Sequence, residues 1–113
     1  MEFIITEYQQ CSLIKIFGRI DSYTSPKIKE SLQRLLDEDH HNFVMDLSEV
    51  NYISSSGILM FVNLQKKLSK KDRGKIIFSE VPHLIYSNIQ LAGFTSLFVF
   101  YDDTNTAIRR FQR

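Results

Sequence analysis

The sequence predicts an α/β protein: a single layer of mixed, mostly parallel β-sheet of about four or five strands, packed with about four helices. Three observations carry that expectation. After an N-terminal pair of strand-like segments, strand-like and helix-like segments alternate to the end of the chain, the order that builds parallel sheets. Two central strand candidates, Phe43-Val44-Met45 with Leu47 and Ile76-Ile77-Phe78, are short unbroken apolar runs, as expected of strands covered on both faces. The helix candidates carry apolar residues at three- and four-residue spacing and have recognisable ends.

Taken in order, Phe3 to Thr6 and Ser12 to Phe17 read as two strands joined by a turn at Gln9-Gln10. Gly18 to Thr24 is a connection. Ser25-Pro26 starts the first helix, with serine as cap and proline at the first helical position. Ile28, Leu32, Leu35 and Leu36 fall on one face of that helix, and the polar stretch Asp37 to His41 ends it. The strand at Phe43 is followed by a polar turn. A second helix begins near Ser56, turns Ile58, Leu59, Phe61, Val62 and Leu68 inward, and closes on Lys66, Lys67, Lys70 and Lys71. After the strand at Ile76, Val81-Pro82 opens a third helix through Leu84, Ile85, Ile89 and Leu91 that stops at Gly93. Leu97 to Tyr101 is the last strand. A closing helix starts near Asp102 or Asp103 and packs Ala107, Ile108 and Phe111. No repeat or linker interrupts the 113 residues, which are expected to form one domain, 1–113.

Composition narrows the function classes. The chain is 43% apolar and 24% charged, as in an ordinary globule, and its fourteen basic and thirteen acidic residues leave a formal charge of +1. That balance supplies no field that would recruit nucleic acid or a membrane surface. The single cysteine, Cys11, cannot form an intramolecular disulfide and lies among strand residues, which reads as a buried thiol in a reducing compartment. With no signal peptide or spanning segment in view, a cytoplasmic location is expected.

The segment richest in chemistry is Asp46-Leu47-Ser48-Glu49-Val50-Asn51-Tyr52-Ile53-Ser54-Ser55-Ser56-Gly57-Ile58-Leu59, a strand, a polar turn, three serines and the opening of a helix. Hydroxyls at a helix N-terminus meet unpaired N–H groups and a dipole that favours negative charge. They can cap the helix, hold an anion, or carry a covalently attached phosphate. A hydrolase nucleophile would need glycine two positions before and two after the serine, whereas Ile53 and Gly57 flank Ser55. A phosphate-binding loop would need more glycine and a nearby lysine, so a nucleotide site of that kind is excluded. The loops Gly18 to Thr24 and Ser48 to Ser55 both follow strands, and are expected side by side on the edge where α/β sheets collect their sites.

Three elements together resemble a known family. Asp46-Leu47-Ser48 with Tyr52-Ile53-Ser54-Ser55-Ser56-Gly57-Ile58 is similar to the signature of the STAS domain of bacterial anti-sigma factor antagonists. Phe17-Gly18-Arg19-Ile20-Asp21-Ser22-Tyr23-Thr24-Ser25 resembles the family's segment entering the first helix. Leu91-Ala92-Gly93-Phe94 with Leu97-Phe98-Val99-Phe100 resembles its turn before the last strand. The resemblance covers nearly the whole chain. It implies a STAS-like fold and a non-catalytic binding module without cofactor. The partners it implies are an anti-sigma factor that is a serine protein kinase, and a phosphoserine phosphatase. Ser55 falls at the family's phosphoacceptor position, ahead of Ser56 and Ser54, and Asp21 where the family places an acid near that serine. Asp21, Ser22, Tyr23, Thr24, Tyr52, Ser54, Ser55, Ser56 and Gly57 form the expected partner surface. The chain departs from the pattern at Ser54, where many members carry aspartate. A second function compatible with the resemblance is a STAS subunit of a stress-signalling or lipid-transport complex that acts without phosphorylation.

Other clusters read as solvated surface. Asp37-Glu38-Asp39-His40-His41 lacks the ligand spacing of a metal site. The segment Lys66 to Lys75, with five lysines and Arg73, complements a helix C-terminus. Tyr23 and Tyr52 flank the proposed site, and Tyr52 could equally pack at the end of its strand.

Overall fold

A computed structural model describes residues 2–71 and 74–112. The chain runs β1 (Glu2–Glu7), β2 (Ser12–Ile20), α1 (Ser25–Asp37), β3 (Asn42–Ile53), α2 (Ser55–Lys70), β4 (Lys75–Ser79), α3 (His83–Leu91), a single 3-10 turn (Thr95–Leu97), β5 (Val99–Tyr101) and α4 (Thr104–Phe111). The five strands form one sheet in chain order, β1-β2-β3-β4-β5. Among the described residues, only the β1–β2 hairpin is antiparallel, with Glu2 opposite Phe17 and Glu7 opposite Ser12, and the other three pairings are parallel. The mixed, mostly parallel sheet with four helices is the one expected.

The helix layer follows from strand order. Each parallel crossover steps the same way along the sheet, and right-handed crossovers then put every connecting helix on one face. Accordingly Ile28, Leu32 and Leu35 of α1, Ile58, Phe61 and Val62 of α2 and Ile85 and Ile89 of α3 share one core with Ile14, Ile16, Met45 and Phe78 of the sheet. On the opposite face α4 covers a smaller cluster of Cys11, Val44, Ile77, Ala107 and Ile108. Burial pushes the Cys11 thiol pKa up, as for a structural cysteine.

Three strand boundaries differ from expectation. β2 continues through Gly18 to Ile20, and β3 continues through the anticipated polar turn to Ile53. The register between them shifts at Lys15/Phe17 and again at Gly18/Arg19, and Gly18 adopts φ 91°, open to glycine at little cost. Each shift adds one residue to β3, so Val50 and Ile53 both point inward without strict alternation. The last strand is shorter than expected, because Thr95 to Leu97 wind into the 3-10 turn.

Helix phase corrects the inward assignment of Leu59 and leaves Leu84 and Leu91 of the third helix exposed. Leu59 is 46% exposed, Leu84 64% and Leu91 86%, because the buried stripes of α2 and α3 pass through Ile58, Phe61 and Val62 and through Ile85 and Ile89. Arg73, part of the basic segment, lies outside the described residues. In the acidic-histidine stretch, Asp39 takes a left-handed turn at φ 66°, His40 Nε2 lies 3.4 Å from Glu7 Oε2, and His41 Nε2 lies 3.6 Å from Asp39 Oδ1. Among the described residues, no three His, Cys, Asp or Glu side chains gather as a metal would require.

Candidate functional site

The ends of β2 and β3 lie side by side, with Arg19 opposite Tyr52 and Ile20 opposite Ile53. The Ser54 N–H extends the pairing by donating to the Ile20 carbonyl at 2.8 Å. Asp21 and Ser55 are the next residues beyond that bond, so the Asp21 loop and the start of α2 leave the sheet edge at one point. The two segments are neighbours as expected, although most of Ser48 to Ser55 is strand rather than loop.

Ser54 is the cap of α2. Its backbone is extended and its Oγ accepts the Gly57 N–H at 3.1 Å, satisfying one of the orphan donors of the first turn. The same Oγ lies 2.9 Å from Ser56 Oγ, so the first and third serines hold each other. Ser55, the first helical residue, is exposed, and its hydroxyl makes no hydrogen bond among the described residues. The three hydroxyls are therefore inequivalent: two are structural and one is free. Gly57 lets the helix start lie against the sheet, since a Cβ there would stand 2.8 Å from Ile20 Cγ2 and 3.0 Å from the Ile20 carbonyl oxygen.

The Asp21 loop is tied to itself. Asp21 Oδ1 accepts the N–H of Tyr23 at 2.9 Å and of Thr24 at 3.1 Å, and Thr24 Oγ1 accepts the Asp21 N–H at 2.8 Å. Desolvation pulls the Asp21 pKa upward, but the Thr24 and Tyr23 N–H groups, the Thr24 hydroxyl and the Arg19 guanidinium outweigh it. The carboxyl is held below the usual aspartate value. With Thr24 so engaged, the cap position of α1 falls on Thr24 rather than Ser25 and lacks a side-chain capping bond. Ser25 is instead the first helical residue, its Oγ donating to the Asp21 carbonyl at 2.6 Å. Asp21 thus reaches the neighbourhood of the serine turn, but its carboxylate is spent on its own loop.

Tyr23 is 88% exposed at the tip of this loop, and Ser22 beside it is exposed too. Tyr52 neither packs away nor stands free, because the Arg19 guanidinium stacks on its ring at 4.1 Å while Arg19 Nε lies 3.4 Å from Asp21 Oδ2. Arg19 was not singled out from the sequence. Its role depends on a strand register displaced by a bulge, which no local pattern signals. Beside the turn, a groove of about 590 Å³ separates α1 from α2 and has Ser25 and Ser56 in its lining.

The STAS domain profile matches residues 2–107. The chain belongs to the STAS domain family. An anti-sigma-B factor antagonist of Listeria monocytogenes is 35% identical over 65 residues, a match covering 58% of this chain and 57% of that protein. This STAS chain therefore spans only a little over half the length of the relative it matches. Among solved structures, an anti-sigma factor antagonist from Mycobacterium paratuberculosis superposes with a TM-score of 0.83 at 20% identity, covering 99% of this chain and 94% of that one. The Bacillus cell fate determinant SpoIIAA in its phosphorylated form gives 0.74 at 14% identity, covering 96% and 98%. These two likenesses are of fold. No helix among the described residues of this STAS domain is long and apolar enough to cross a membrane.

Proposed function

We propose that this STAS domain is an anti-sigma factor antagonist that works by partner switching. Unmodified, it binds an anti-sigma factor that is also a serine protein kinase; phosphorylation at Ser55 releases it, and a phosphoserine phosphatase restores the binding form. It acts in the cytoplasm as a binding module, and Asp21, Ser22, Tyr23, Thr24, Tyr52 and the serine turn with Gly57 form its docking surface. The observation that carries this reading is Ser55 itself. It is exposed at the head of α2 with an unengaged hydroxyl, between two serines occupied with each other. The curated relatives' name, anti-sigma-B factor antagonist, supports it.

The physics of release is electrostatic. A phosphoserine adds about −1.5 to −2 charges at neutral pH. At a helix N-terminus that charge is tolerated, so the fold stays as it is. Against a docked partner the dianion must be desolvated, and left unpaired it costs several kcal/mol. Each ~1.4 kcal/mol is tenfold in affinity, so one phosphate separates bound from free.

Mass spectrometry of the protein from its own cells should place phosphate on Ser55. Pull-downs should show Ser55→Ala retaining the partner and Ser55→Asp losing it. If Ser55→Asp binds as tightly as the unmodified protein, the electrostatic switch fails. Consistent absence of phosphate favours a subunit that assembles without modification.

A further inference from the structure

We propose that the groove between α1 and α2 is a docking trough for an acidic, amphipathic helical segment of the partner. The proposal rests on the partner-switching reading for which protein carries that segment. Pro26 and Leu36 of α1 and Leu59 and Met60 of α2 supply its apolar walls. Leu59 is 46% exposed here, although Leu64 and Leu68 of the same helix are buried. A leucine beside an adaptable methionine in an open trough suits the apolar face of a helix, read as anchors three and four residues apart.

Charge selects which helix. Lys29 stands on the α1 wall and Lys67 on the α2 wall, and no carboxylate is among the described residues of the lining. Lys67 Nζ reaches across to donate to Gln33 Oε1 at 3.0 Å, and Gln33 Nε2 donates in turn to Asp37 Oδ1 at 3.0 Å just outside the lining. A partner's carboxylate outcompetes the neutral Gln33 oxygen for the lysine. An apolar trough with one lysine on each wall favours an acidic helix over a basic one. A second copy of this chain supplies no such helix among the described residues: α2 ends in Lys67 and Lys70, α4 in Arg109 and Arg110, α1 mixes both signs, and α3 contains no Asp or Glu. Ser25 and Ser56 close the end of the trough next to Ser55. A phosphate on Ser55 therefore brings to its mouth the same sign of charge as the segment's own acids, so release acts on the segment as well as on the rim.

The test is site-specific photo-crosslinking of the full chain in its own cells. p-Benzoylphenylalanine is introduced separately at Leu59 and Gln33, in the trough, and at Tyr23, on the serine-turn surface, and the crosslinked peptides are sequenced. The trough positions should capture a peptide with Asp or Glu flanking apolar residues at helical spacing. Lys29→Glu with Lys67→Glu should cut that adduct by about tenfold, and Lys29→Arg with Lys67→Arg should keep it, with circular dichroism unchanged in both. Capture of a basic peptide or of a second copy of this chain overturns the trough. So does the lack of any trough adduct while Tyr23 still crosslinks, an outcome that leaves the partner-switching reading standing. Silence at all three positions defeats both.

Discussion

Replacing Ser54 by alanine removes the oxygen that accepts the Gly57 N–H and holds Ser56. The expected cost is about 1 kcal/mol, read as a lower urea midpoint with an unchanged slope. Ser54→Asp keeps the cap and adds a charge the helix N-terminus favours, so its midpoint should equal or exceed that of the natural protein. Asp21 carries a pH signature. Its carboxyl is held below the usual value by the N–H groups, hydroxyl and guanidinium around it. Its stabilising contribution is therefore present above the ordinary aspartate range and lost as pH falls through the depressed folded value. Thermal midpoints of the natural protein and Asp21→Asn should differ at neutral pH and converge in acid. If the gap stays constant down to the acid limit, the loop does not depend on that charge. At this scale the serine run and Asp21 were legible because capping and turn chemistry is local. The Arg19–Tyr52 stack was not, because its partners meet only through a register set by the bulges.

At the seam where α2 begins against β2 and β3, Gly57 leaves no room for a side chain. Alanine normally gains about 1 kcal/mol over glycine within a helix. At Gly57 the added Cβ would press on Ile20 from 2.8 Å and on Ile53 from 3.1 Å. Gly57→Ala should therefore destabilise, by about 1–3 kcal/mol, in chemical denaturation. It should also weaken partner binding by moving the serine turn. A gain in stability would show that the helix shifts freely and that the seam is not rigid. Elements whose signal is apolar spacing, such as α1 and β4, stand where the sequence placed them. β3 outran its expected end because two bulges break the alternation that marks a half-covered strand, so Ser48 to Ile53 read as a turn. Leu59 misled for a related reason. Counting apolar residues on a helix shows that it is apolar, and only the phase shows which side meets the sheet.

For the whole molecule, the larger core closes around Phe78. Its ring meets Phe61 at 5.2 Å, Phe98 at 4.8 Å and Phe100 at 5.6 Å, joining α2, β4 and the C-terminal strand in one aromatic cluster. Phe78→Ala should cost about 3–5 kcal/mol, a large part of the ~5–15 kcal/mol that holds a domain of this kind. Urea unfolding followed by circular dichroism checks it, and a loss under 1 kcal/mol would mean that the cluster repacks around the gap. The fold class was legible because alternation of elements is a property of the whole chain and survives errors in single boundaries. The sheet whose order is the order of the chain has a consequence for synthesis. A ribosome releases the N-terminus first, so the β1–β2 hairpin emerges complete, and each later strand arrives at an edge already waiting for it. No strand has to be inserted between two that are already paired. Until β5 docks, each nascent chain holds out one unfinished parallel edge, and on a crowded polysome a neighbouring chain's strand can take that place instead.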